Sequence, residues 1–244
     1  MDDKVFLTAE WRYLAMFNYE IEPKTLARYV PAGTELDQWN GKTFASIVGF
    51  LFLNTRVLGL AVPFHRNFEE LNLRFYVRHK RPEGWVRGVV FIKEIVPLWA
   101  VANVAKVFYG ERYVAMPMRH KLDMDRSRQQ ESGRVEYAWR STSGWNQLRL
   151  QTVGPPCPSM PGSEEEFITE HYWGYAVQRG KGTIEYRVEH TAWRVWQVSE
   201  ANLNCNVREL YGPEFVDSLS ARPSSAFLAE GSPVTVYRGS RLRR

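Results

Sequence analysis

The chain has 244 residues, 44% of them hydrophobic and 14% aromatic, with a formal net charge of +5 and only two cysteines. That length can bury a sizeable core without disulfides or a structural metal, and the longest nearly apolar run, residues 44–53, is about half of the ~20 residues that a membrane-spanning helix needs. Cys157 and Cys205 are far apart, with no ligand pattern beside them, and Met1-Asp2-Asp3-Lys4 leads into no apolar leader; the expectation is a cytoplasmic protein with unpaired thiols and no membrane partner. The basic excess includes Arg238, Arg241, Arg243 and Arg244, yet no helix-turn-helix, zinc finger or RNA-binding aromatic motif accompanies them, so they read as a solvated tail and not as a nucleic-acid surface.

In chain order, residues 11–21 alternate so that Tyr13, Ala15, Phe17, Tyr19 and Ile21 share one face of a strand. Pro23 suits a first helical turn, and residues 24–30 read as a short helix stopped by Pro31. Residues 34–39, the dipeptide Asn40-Gly41 and the apolar run 44–57 read as a hairpin, because Asn-Gly accepts the positive φ angles of a type I′ turn. A loop is expected over 58–67. Residues 68–77 then alternate, placing Glu70, Asn72, Arg74 and Tyr76 on one face and Leu71, Leu73, Phe75 and Val77 on the other. After the turn at Arg81-Pro82-Glu83-Gly84, residues 85–96 return as an antiparallel strand.

Residues 98–109 are apolar on nearly every side and favour a buried helix ended by Gly110. Three strands are expected at 112–124, 133–142 and 145–153, with the charged stretch 123–131 as a turn. Residues 154–162 hold four prolines and read as a linker or as a loop between two halves of one sheet. Ser163-Glu164-Glu165-Glu166 has capping-box spacing, so a helix is expected to run towards Tyr175, which would set His171 and Tyr175 one turn apart. Strands at 183–190 and 193–198, a short helix at 199–210 and a last strand at 234–238 complete a mostly β, antiparallel chain with three or four helices.

Much familiar chemistry is missing. The sequence has no Gly-rich phosphate loop, no dinucleotide fingerprint and no Gly-x-Ser-x-Gly elbow. Its five histidines, His65, His79, His120, His171 and His190, lack the spacing of a metal site. No cofactor and no metal are expected. The candidate chemistry is the polar row on the 68–77 strand. Facing a lumen, Arg74 would hold a carboxylate and Glu70 would act as acid or base; facing solvent or one another, the same groups would form a structural ion-pair network. Tyr113 and His171 are the further candidates for the same ligand, each also explicable as core packing.

Trp11-Arg12-Tyr13-Leu14 before a strand and a Pro-containing helix, the Glu-Leu-Asn-Leu-Arg-Phe-Tyr-Val strand, the apolar run closing on Tyr109-Gly110, and Ser225-Ala226-Phe227-Leu228-Ala229-Glu230-Gly231-Ser232 together resemble the bacterial YqjF-like family, the domain of unknown function 2071. That family is similar to the acetoacetate decarboxylase superfamily. The resemblance implies a single domain over residues 1–244, with a curved antiparallel sheet closing into a cone-like barrel, helices outside and a ligand cavity within. It also implies that Glu70 stands where those enzymes carry a catalytic glutamate and that Arg12 is the nearest match to a cavity arginine. Their Schiff-base lysine is one of the two in a Gly-aromatic-Pro-Lys-Lys motif; the stretch here is Gly110-Glu111-Arg112-Tyr113-Val114, which has no lysine. Lys93 and Lys106 are the remaining amines considered, both of a kind that more often faces solvent. The expectation is a small-molecule pocket that acts on a small oxo acid or carbonyl compound without an imine, with Glu70 catalytic and Arg12, Asn72, Arg74, Tyr76, Tyr113 and His171 binding. The alternative is a non-catalytic ligand-binding or structural protein, and homo-oligomerisation stays open.

Overall fold

The N-terminal aromatic alternation belongs to a longer strand than its pattern suggested. The computed structural model describes residues 4–61, 64–97, 112–124, 133–178 and 182–242. Strand β1 (Val5–Glu20) is followed by α1 (Pro23–Leu26), a short 3-10 turn (Ala27–Tyr29), β2 (Glu35–Leu36), β3 (Phe44–Val57), β4 (Phe68–Arg81) and β5 (Gly84–Val96). Next come β6 (Tyr113–Ala115), β7 (Met118–Met124), β8 (Gly133–Ser141), β9 (Gly144–Pro158), α2 (Glu164–Thr169), β10 (Trp173–Gln178) and β11 (Gly182–His190). The chain ends in β12 (Arg194–Asn204), α3 (Val207–Tyr211), α4 (Val216–Leu219), β13 (Ser225–Tyr237) and β14 (Ser240–Arg241).

Seven strands close a ring in the order β1-β3-β4-β5-β10-β11-β13, because β13 pairs with both β1 and β11. β13 is forked: its Val234–Val236 end meets β11, while Phe227–Ala229 pairs with β12 and leads into a second layer, β12-β9-β8-β7. The ring strands are therefore covered on both faces. Ala15, Phe17, Leu71, Leu73 and Phe75 point outward into a core with Val135, Tyr137, Trp139 and Leu148 of the second layer, whereas Leu14, Met16, Val48 and Phe50 point into the barrel. Full burial of each such large side chain contributes about 1.5–3 kcal/mol. That explains why strands of a mainly antiparallel sheet read as apolar runs here.

Three irregularities set which residues face inward. β1 gains one residue over β3 between Arg12 and Ala15, with Tyr13 at φ +53°, so Trp11 and Leu14 both face the barrel. β5 gains one over β4 between Phe91 and Lys93, so Phe91 and Glu94 both face inward. On β13 the inward set changes from Phe227 and Ala229 to Val234 and Val236 across Gly231, which sits at φ +79°. At one end α2 plugs the barrel, its Phe167 packing on Phe44 and Tyr76. The Ser163 hydroxyl caps this helix by accepting the Glu166 amide.

Several expectations need correction. Asn40 and Gly41 do form a positive-φ turn between Trp39 and Lys42, but that bridge is its whole hairpin; β2 pairs with β4 instead. The 112–124 strand breaks at Pro117, which cannot donate to a ladder, leaving β6 parallel to β5 and β7 in the second layer. The proline-rich 154–162 stretch is no linker, since β9 continues to Pro158 against β12 and absorbs residues 154–156 in a bulge. The helix begun at Ser163 ends at Thr169, because Trp173-Gly174-Tyr175-Ala176-Val177 is recruited into the ring, with Gly174 lying under the Tyr186 ring. Residues 199–204 extend β12, and the helix is confined to α3, capped by the Asn206 side chain. The last long strand begins at Ser225, not at 234. The expected 98–109 helix, Lys106 and most of the 123–131 turn lie outside the described residues. Cys157 and Cys205 are both free. No helix among the described residues is long and apolar enough to cross a membrane.

Candidate functional site

The strict alternation of β4 delivers Glu70, Asn72 and Arg74 to the barrel interior, where they border a cavity of about 230 Å³. β5 supplies Phe91 and Glu94, with Glu94 opposite Asn72, and β6 places Tyr113 beside Glu94. His171, in the connection between α2 and β10, and His190, at the end of β11, join the polar lining, with Thr55, His65 and Thr169; most of the remaining wall is apolar or aromatic.

Glu70 is 3% exposed. Its Oε1 accepts the Asn72 amide at 3.1 Å and its Oε2 accepts the Tyr113 hydroxyl at 3.1 Å. Burial dominates its titration and pushes the carboxyl up to about 7, with the two hydrogen bonds and the Arg74 charge opposing. The Tyr113 hydroxyl is pushed well above its ordinary range, first by burial and then by the Glu70 and Glu94 charges.

Arg74 is 8% exposed and carries its charge into the barrel. Nη2 donates to the Ile168 carbonyl of α2 at 3.1 Å and lies 4.0 Å from the Met16 sulfur, while Nε has no partner. Among the described residues, no carboxylate comes within ion-pair distance of this guanidinium. A buried cation in that condition is costly, and an anion entering the cavity would relieve it.

His171 stacks on Tyr76, with centroids 4.8 Å apart, and neither ring nitrogen has a hydrogen-bond partner. Burial holds it well below its ordinary pKa, reinforced by the Arg87 and Arg74 charges, so the ring is neutral at pH 7. His190 is sandwiched between Tyr172 and Trp193 and is likewise lowered by burial.

Of the residues singled out from sequence, Glu70, Asn72, Arg74, Tyr113 and His171 thus meet around one cavity. Arg12 and Tyr76 do not line it. The β1 bulge turns Arg12 outward, where it pairs with Glu10 at 2.8 Å. Tyr76 is fully buried behind the wall, its hydroxyl 2.6 Å from Ser46 Oγ. Lys93 points to the outer core, donating to the Leu210 carbonyl beside the Tyr211 ring. Among the described residues, no lysine lines the cavity. Sequence reasoning missed Glu94 and His190. A carboxylate inside the apolar run Val89–Val96 was a signal for the first; nothing local marked the second.

A family model described as an uncharacterized conserved protein, DUF2071, matches residues 8–233. The chain belongs to the DUF2071 family. It is similar to the uncharacterized protein YqjF of Bacillus subtilis (strain 168), at 25% identity over 200 residues, covering 80% of this chain and 77% of the relative. Among solved structures, the enduracididine biosynthesis enzyme MppR complexed with pyruvate superposes with a TM-score of 0.69 at 11% identity, covering 96% of this chain and 89% of that one. Acetoacetate decarboxylase from Legionella pneumophila superposes with a TM-score of 0.65 at 12% identity, covering 98% and 87%. At such identities the likeness establishes the fold: this DUF2071 member has the acetoacetate decarboxylase-like barrel.

Proposed function

We propose that the protein is an enzyme that binds a small oxo acid or related carbonyl compound in its barrel and moves a proton on it through Glu70, without an imine. The observation that carries this reading is the meeting, in one cavity, of a carboxyl titrating near 7 and a buried guanidinium with no carboxylate partner among the described residues. Arg74 would hold the substrate carboxylate. Glu70 would take a proton from the carbon next to the carbonyl: the C–H bond breaks, an O–H bond forms on Glu70, and the electron pair moves to the carbonyl oxygen, to which the Tyr113 hydroxyl would turn from Glu70 to donate its one hydrogen bond. A pKa near the working pH suits a group that must both take and return a proton. Pyruvate, with which the fold relative MppR is complexed, is a compound of this class, and it supports the reading by analogy alone.

A second reading, a binding protein without catalysis, has its own support, since both Glu70 oxygens already accept hydrogen bonds. Proton NMR in deuterated buffer separates the two. The proposed enzyme exchanges the α-protons of 2-oxobutyrate, and Glu70→Gln abolishes exchange while the compound still binds. Binding to the parent protein without exchange would leave the carrier reading.

A further inference from the structure

The polar groups occupy only part of the chamber. Inward residues of β4 are two apart, so the line Arg74, Asn72, Glu70, Phe68 spans six residues, about 20 Å of strand. Arg74 lies at the end plugged by α2, through its bond to the Ile168 carbonyl. Beyond Glu70 the wall becomes mainly aromatic and aliphatic, with Thr55 and His65 among its lining residues. Phe68 stacks on Phe52 with centroids 4.8 Å apart and planes 12° apart, Trp11 meets Phe52 edge-on at 5.8 Å and Phe50 at 5.6 Å, and Leu7, Val57 and Val236 continue the lining. A three- or four-carbon acid held at Arg74 would leave this aromatic half of the chamber in contact with water.

We propose that the ligand is an amphipathic carboxylate: its anion sits on Arg74, its reacting carbon lies by Glu70, and an apolar tail of several carbons lies along Phe50, Phe52, Phe68 and Trp11. The placing of the reacting carbon rests on the function proposed above; the anion and the tail do not. Phe52, Phe68 and Trp11 are then the residues that set chain-length preference, and compounds without a tail are poor ligands because the apolar wall gains nothing from them. Each methylene moved from water onto such a wall is worth roughly a fourfold gain in affinity.

Calorimetric titration of straight-chain 2-oxo acids from four to eight carbons, run beside plain alkanoates of equal length, tests this. The expected result is an affinity rising about fourfold per added carbon in both series. Phe68→Ala is expected to reduce that slope for the longer members, and Phe68→Leu, which keeps the strand apolar, guards against misfolding as the cause. Affinity flat or falling with length in both series would overturn the amphipathic ligand. The two proposals fail separately. A rising slope without proton exchange keeps the ligand class and removes the catalysis, whereas exchange on 2-oxobutyrate with no slope does the reverse.

Discussion

Glu70 illustrates how one side chain is set by its surroundings. Its folded pKa of about 7 lies above the ordinary 4.5 because desolvation outweighs two hydrogen bonds and a distant cation. Between those values the native state holds more protons on this residue than the unfolded chain does, so its contribution falls as pH rises from 4.5 through 7. The shift corresponds to about 3 kcal/mol. Glu70→Gln is therefore expected to stabilise the protein by up to about 3 kcal/mol at pH 8 and to leave stability at pH 4.5 nearly unchanged, as read from urea midpoints at the two pH values; an equal effect at both would refute the raised pKa. The row Glu70, Asn72, Arg74 was legible in the sequence because β4 alternates without interruption past it. Arg12 and Glu94 were not, since each lies next to an extra residue that reverses facing, and a bulge in a strand of apolar residues leaves no compositional trace.

At the scale of elements, most strands were readable from alternation and the errors share a cause. Residues 171–175 and 199–204 carry helix-compatible residues but strand pairing claims them: 173–175 pair with the adjacent β11 and reach β5 through Gly174 and Val89, and 199–204 pair with the distant β9. Residues 154–158 look like a linker, yet β9 stays on β12 because a bulge absorbs 154–156, with Pro155 and Pro156, and pairing resumes at Cys157 and Pro158. Conversely, the Ser163 cap and the positive-φ turn at Asn40-Gly41 were legible because cap and turn chemistry is local, whereas the hairpin expected around that turn gives way to pairing of β2 with β4. Gly231 controls where β13 bends between its two partners. A side chain there would place Cβ 2.0 Å from the Trp11 carbonyl oxygen, at a backbone angle that other residues adopt poorly. Gly231→Ala is expected to cost roughly 3 kcal/mol, measurable as a lowered denaturation midpoint; a change within 0.5 kcal/mol would mean that β1 and β13 can separate there without loss.

For the molecule as a whole, the barrel itself was legible only through the family resemblance. Residue patterns gave antiparallel strands, but ring closure depends on β13 meeting β1 and β11 together, and on β10 meeting β5 at the single pair Gly174 and Val89. Such long-range choices are decided by which faces both layers can cover, and no window of sequence contains them. The forked β13 commits one strand to two layers, so the barrel and the outer layer are expected to unfold in a single transition. Calorimetric and van't Hoff enthalpies of the whole chain should agree; two resolved transitions would contradict the shared strand.

Arg74 carries an uncompensated electrostatic cost. Its guanidinium meets one carbonyl, a sulfur and the Tyr76 ring and no carboxylate among the described residues, so the proposed anion binding and thermal robustness pull this position in opposite directions. Arg74→Met, similar in reach and content with an apolar wall, is expected to raise the stability of the unliganded chain by roughly 1–4 kcal/mol while abolishing the response of its melting temperature to carboxylates. On the function proposed above, the substitution that strengthens this position is the same one that removes its response to ligand.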